Sequence, residues 1–275
     1  MSDKVDEVVV LGGQRWGRQT WRSGIRYVTT GGQRAVGRVL PGGHLELYYG
    51  VDAAAGATGA VRRWAQAFAD ALSILSESRV RLLYSEFYQG DCLFREIRRK
   101  EKALSFGWLA PIKMGGQIDR DTLIRLSNFL ATREPGAYVT RAMLDQLEAA
   151  ESQRYQQARE LLLATILEAV VRTLNWKPYR EKGERTISLQ NQLGPFRKQY
   201  LSREWEEACR RACEVQKRLR DRNAHPDWLY EERGALSYDS LQQAHEDAIF
   251  LARFYGAMML ALARVPDLSP SLLEA

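Results

Sequence analysis

Apolar positions recur along this chain with two different periods, and the change from one to the other divides it. The stretch "IRYVTTGGQRAVGRVLPGGHLELYYG" alternates strand-forming residues with "GG" and "PGG" turn signals and predicts short strands. "TGAVRRWAQAFADALSILSES" then places Val61, Trp64, Phe68, Leu72 and Leu75 at helical spacing. "VRLLYSEFYQGDCLFREIRR" reads as a hairpin turning at Gly90 and Asp91. "DTLIRLSNFLATR" reads as a short helix that stops before "EPGA". Together these elements predict an α+β module over residues 1–135.

Beyond Pro135 only the helical period remains. "YVTRAMLDQLEAAESQRYQQARELLLATILEAVVRTLN" predicts one long helix or two in series. "RTISLQNQLGPFRKQYL" predicts another, with Pro195 as a kink or a start. "SREWEEACRRACEVQKRLRDRN" is a third, with Ser202 as its N-cap. "SYDSLQQAHEDAIFLARFYGAMMLALARV" is a fourth, capped by Ser237 or Asp239. Four amphipathic helices with short connections predict an all-α bundle over 136–275.

Composition adds limits to this picture. An apolar fraction of 45% with 27% charged residues is that of a soluble globular protein. The start "MSDKVDEVVVLGG" carries acids and too short an apolar run for a signal peptide or a membrane span. With three cysteines and no export signal, a cytoplasmic location and no membrane partner are expected. The net charge of +6 leaves room for an anionic partner. Residues 1–150 hold 21 Lys and Arg against 16 Asp and Glu, the remainder 19 against 18, so the excess lies in the first half. There "GGQRWGRQTWRSGIR" interleaves Arg15, Trp16, Arg18, Trp21, Arg22 and Arg26. Such a run can stack on and clamp single-stranded nucleic acid. Alternatively it is a basic strand whose tryptophans pack into a core. Gly12, Gly13 and Gly17 match neither dinucleotide nor P-loop spacing. No serine-hydrolase signature or catalytic carboxylate pair is present in the sequence.

The chemistry concentrates at the end of the third predicted bundle helix. At about 100° per residue, Trp205, Ala208, Ala212, Val215 and Leu219 form one stripe towards the bundle core. Cys209, Cys213, Gln216 and Arg220 run along one flank of it, Arg222 lies beyond the other, and Arg218 and Asp221 are expected to face solvent. Arg220 is thus expected half-buried, with its guanidinium in a groove. Of the three histidines, His44, His225 and His245, the second precedes Pro226, which disfavours helical geometry. The helix should end at Asn223–Ala224, leaving His225 able to turn back towards Arg220. A guanidinium can hold a phosphate by two hydrogen bonds, and an imidazole can move a proton near neutral pH. That pair suits RNA cleavage by 2′-hydroxyl attack, without a metal. The plainer alternative is a basic helix end that complements the helix dipole.

The segment from about Glu151 to Val265 resembles a HEPN domain, the helical superfamily of many prokaryotic RNases, toxins and antiviral effectors. "ARELLLATILEAVVRTL", with its Leu167-Glu168 step, looks like the family's first long helix, and "SLQNQLGPFRKQY" like its second. "LRDRNAHPD" resembles the R-x4–6-H motif, and "SLQQAHEDAIFLARFYGAMMLAL" the closing helix. The resemblance implies Arg220 and His225 as the catalytic pair, with Asp221, Asn223 and Glu168 in support. Arg218 also fits the motif's spacing, though helix geometry prefers Arg220; Arg222 does not fit. It further implies RNA as substrate, a homodimer whose two motifs line one cleft, and no cofactor. A role in antiviral defence or toxin-like growth arrest follows, with residues 1–135 as a sensor or adaptor that binds a partner protein or effector. The alternative is a non-catalytic HEPN-like subunit that binds RNA or oligomerises within a larger assembly.

Three further candidates have plain alternatives. Glu168 can orient Arg220, or pair with Arg172 one turn away. Cys209, Cys213, His225 and His245 formally make four zinc ligands, but the histidine spacing is irregular and small core cysteines are the better account. No metal is therefore expected. His245 reads as a core or interface histidine, and His44 as a loop residue.

Overall fold

The computed structural model describes the backbone of residues 4–12, 25–28, 34–40, 44–52, 58–75, 79–89, 92–97, 111, 120–174, 189–224 and 238–274. Side chains are described for 63, 66–75, 79–80, 111, 121–174, 189–222 and 242–274. The chain divides into two compact units, 1–105 with 113–133, and 106–112 with 134–275.

In the first unit the described side chains belong to α1 (Thr58–Leu75), α2 (Arg120–Ala131) and the two residues Arg79 and Val80. The second half of α1 is buried all round, with Ala67, Phe68, Ala71, Leu72, Ile74 and Leu75 in the core. It packs on α2, which offers Leu123, Leu126 and Leu130 at i, i+3 and i+7. A buried polar knot closes the end of α1. Arg79 Nη1 lies 2.7 Å from Asp70 Oδ1, Gln66 Nε2 donates to the same oxygen at 3.0 Å, and the Val80 N–H donates to Ser73 Oγ at 2.7 Å. Each buried charge here has its partner, as burial requires.

Backbone pairing is traced for six extended segments, β1 (Lys4–Gly12), β2 (Ile25–Val28), β3 (Arg34–Leu40), β4 (His44–Asp52), β5 (Arg81–Gln89) and β6 (Cys92–Ile97). Their order is β2-β3-β4-β1-β5-β6, all pairs antiparallel. The "GG" and "PGG" turns and Gly90–Asp91 lie outside the described residues. The expected α+β module is corrected. Of the residues described with their side chains, 85% are helical and none lies in a strand. An α+β layer needs a sheet face buried against helices, and alternating strand formers predict a ladder without saying what covers it. The fold established by side-chain packing is an all-helical bundle.

The second unit carries that bundle. α3 (Pro135–Glu151) begins with Pro135 in the first turn, where its missing N–H costs nothing. The long predicted helix is two, because α4 (Gln156–Leu174) starts after a break at 152–155. Side chains cap the break: Gln153 Nε2 donates to Ala149 O at 3.0 Å, and Arg159 Nη2 to Gln153 O at 3.1 Å. α5 (Leu189–Tyr200) contains Pro195 inside its length. Ser202 begins a 3-10 turn, Arg203–Trp205, without a side-chain capping bond, and the turn leads into α6 (Glu206–Ala224). α7 (Tyr238–Leu262) closes the unit; Asp239 lies inside it, and Ser237 is outside the described residues.

α4 packs on α3, α5, α6 and α7, and buries Leu163, Ala164, Ile166, Leu167, Val170 and Val171. The Tyr255 hydroxyl of α7 donates to Leu163 O at 2.6 Å, and burial pushes its phenol well above the usual range. The stripe Trp205, Ala208, Ala212, Val215 and Leu219 is buried. It sets which flank of α6 carries Arg220. No helix among the described residues is long and apolar enough to cross a membrane.

Candidate functional site

Leu219 is the last fully buried residue described on α6, and Arg220 follows it on the flank facing α4. Its Nη1 donates to Glu168 Oε1 at 3.0 Å. Its Nε and Nη2 both donate to Asp221 Oδ1, at 3.2 and 3.1 Å. Gln216, one turn earlier, donates from Nε2 to the same Glu168 oxygen at 2.9 Å. The other oxygen, Oε2, accepts from Arg172 Nη2 at 3.3 Å. Both partners considered for Glu168 are therefore present at once, since a carboxylate offers two oxygens. Glu168 and Arg172 from α4 interleave with Gln216 and Arg220 from α6.

These bonds leave Arg220 charged and partly available. The hydrogen bond it donates to Asp221 holds the guanidinium above its ordinary value, against burial and with help from the bond to Glu168. Three of its five N–H groups are engaged by these carboxylates. Its side chain is 44% exposed. The arrangement is a fixed guanidinium at a bundle rim with donors left for an anion.

Two side chains at the site carried no expectation of their roles. Gln216 is buried at 3% exposure, and its amide is matched to Glu168. Asp247 of α7, three residues from Ala244 and one from Ala248, sits on that helix's core stripe, a position at which an acid signals a buried partner. Arg218 is exposed, as expected, with its side chain 52% accessible, and its Nε and Nη2 also reach Asp247 Oδ2 and Oδ1 at 3.0 and 2.8 Å. This fork holds the Arg218 guanidinium above its ordinary value, and commits it to α7. Arg218 is thereby tied to α7 and Arg220 to α4, and each keeps N–H groups outside these bonds.

His225 lies outside the described residues, one position past the end of α6 at Ala224. Asn223 is in the last turn of that helix, with only its backbone described. Arg15, Trp16, Arg18, Trp21 and Arg22 are also outside the described residues, while Arg26 lies on β2 opposite Val36. His44 opens β4, paired with Gly12, where a loop position was expected. His245 is half-buried on α7. Cys209 and Cys213 are free thiols. Burial pushes Cys209 up to about 12 and Cys213 to about 11, so both are neutral at physiological pH. Among the described residues no group of three or more His, Cys, Asp or Glu is placed to hold a metal ion.

Comparison with protein-family models, with curated proteins and with solved structures returned no match. The class is therefore set by the chain's own geometry: a helical bundle with an ion-paired, anion-accessible arginine at the end of one helix.

Proposed function

We propose that the chain is a metal-independent endoribonuclease of HEPN type, with Arg220 and His225 as the reacting pair. The observation that carries this is the placement of Arg220. Its guanidinium is charged, half-exposed and steadied by Glu168 and Asp221, five residues before His225, which the sequence sets directly ahead of Pro226. In this reading a phosphodiester of RNA takes the open donors of Arg220. His225 removes the 2′-hydroxyl proton as that oxygen attacks phosphorus. The bond to the 5′-oxygen breaks, and the leaving oxygen takes a proton from water. Arg220 stabilises the charge gathering on the non-bridging oxygens. Two copies assemble so that two such motifs line one cleft, and residues 1–135 receive the signal or partner that regulates cleavage. Antiviral defence or toxin-like growth arrest is the setting this reading implies.

A second reading has its own observation. Two carboxylates neutralise Arg220, as they would if the pair only fixed a helix end in a non-catalytic RNA-binding or oligomerising subunit. A cleavage assay separates the two. Wild type, Arg220→Ala and His225→Ala are incubated with a panel of RNAs in EDTA. Cleavage by wild type alone is the expected result. RNA left intact by wild type refutes the nuclease, and cleavage that survives both substitutions places the site elsewhere.

A further inference from the structure

The acid on α7 and the arginine it receives do more than close the bundle. Asp247 is 2% exposed, among the buried Ala244, Ala248 and Leu251. A carboxylate in such surroundings is tolerated only when paired and hydrogen-bonded. It has three donors: Arg218 Nε and Nη2, one to each oxygen, and Gln243 Nε2 at 3.1 Å to Oδ1. Arg218 is itself 52% exposed, so the pair spans from the core to the rim.

Arg218 and Arg220 are two residues apart, about 200° around the helix. Their cross-helix bonds therefore tie α6 to opposite neighbours, Arg218 to α7 through a fork and Arg220 to α4 through its Nη1. Leu219 between them is the last buried apolar anchor described on the helix. Beyond it only a short turn separates Arg220 from the helix end at Ala224. We infer that Asp247 is a positioning residue: by holding Arg218 it fixes the rotation of the last turns of α6, and so aims Arg220 at Glu168 and at the bound phosphate. Glu168 holds Arg220 through one nitrogen on one side of the helix, beyond the last buried anchor at Leu219.

The link to catalysis rests on the nuclease reading; the aim of Arg220 does not, and the two are measured separately. Full-length protein with 15N-labelled arginine is prepared as wild type, Asp247→Asn, and the paired Arg218→Gln/Asp247→Asn variant, which leaves no unpaired buried charge. Glu246→Gln is the control, an exposed acid one residue away whose bond is to Gln242. The Arg220 Nη1–H signal, whose bond is to Glu168 Oε1, is identified by its loss in Arg220→Lys. Its exchange with solvent should quicken about tenfold or more in both Asp247 variants and stay unchanged in the control. RNA cleavage should lose about tenfold to a hundredfold in kcat with KM unchanged, as expected when a transition-state contact is misplaced. An unchanged Arg220 signal in a folded variant overturns the inference, whatever happens to RNA. A changed signal with kcat intact overturns its link to the reaction. If wild type leaves RNA whole, the nuclease reading fails and the exchange measurement still decides the positioning role.

Discussion

Replacing Glu168 by alanine removes one carboxylate and three hydrogen bonds, and the structure says which loss dominates. The arginine pairs lie at the rim, with Arg220 and Arg172 side chains 44% and 64% exposed. Such pairs contribute about 0.5 kcal/mol each once solvent screening is counted. Gln216 differs, because its buried amide is left facing a gap, at a cost of about 1–3 kcal/mol. The sum is about 2–4 kcal/mol, most of it from Gln216. Urea unfolding followed by far-UV circular dichroism measures it as a fall in midpoint at constant slope. A double-mutant cycle then apportions it. Gln216→Leu should recover about 1 kcal/mol or more in the Glu168→Ala background, and coupling to Arg220 should be about 0.5 kcal/mol. A Glu168→Ala cost near zero, or a coupling to Arg220 larger than that to Gln216, refutes the reasoning. The division has a functional meaning. The fold is secured by the amide while the guanidinium is only oriented, so Arg220 can share its donors with a phosphate at little cost to stability.

Two further outcomes follow from groups away from the site. The Cys209 and Cys213 thiols are raised from 9.0 to about 12 and about 11 by burial, so above pH 9 the folded chain holds protons that the unfolded chain has lost. Stability should be level with respect to these thiols below pH 9 and fall as pH rises above it. Urea midpoints across that range should fall less steeply in Cys209→Ala/Cys213→Ala, and an identical slope in both proteins would sink the argument. Gly194 lies inside α5 before Pro195, and an added Cβ would meet nothing within 4 Å. Gly194→Ala should nevertheless gain less than the ~0.5–1 kcal/mol of an ordinary helix position, because a Cβ directly before Pro195 disfavours helical geometry; a melting temperature raised by the full amount would refute this.

The α6 stripe was legible in the sequence because one helix's periodicity determines which residues share a face, and burial of Trp205, Ala212, Val215 and Leu219 follows from it. The flank position of Arg220 came with the stripe. Glu168 was legible as an acid in apolar surroundings, which must find donors, but its two possible partners could not be ranked from one helix. The partner of Arg218 was not legible, because periodicity gives a direction around one axis and says nothing about what the next helix presents there. The signal lay on α7 instead: an acid at a core position demands a cation, and only the spacing between helices decides that the cation is Arg218. Two helices in series were one of the two readings of that stretch, but the place of the break between α3 and α4 was not legible, since it contains neither glycine nor proline and is held by the Gln153 and Arg159 side chains. In the first unit, alternation of strand formers predicts hydrogen-bonded backbone, whereas fold class depends on what buries the faces. The candidate site sits where these limits meet. Its arginine is specified by its own helix, which also supplies Asp221, but its reach towards α4 depends on Glu168 and, in our proposal, on Asp247 of α7, so a substitution at either can misplace Arg220 while its own helix is unchanged.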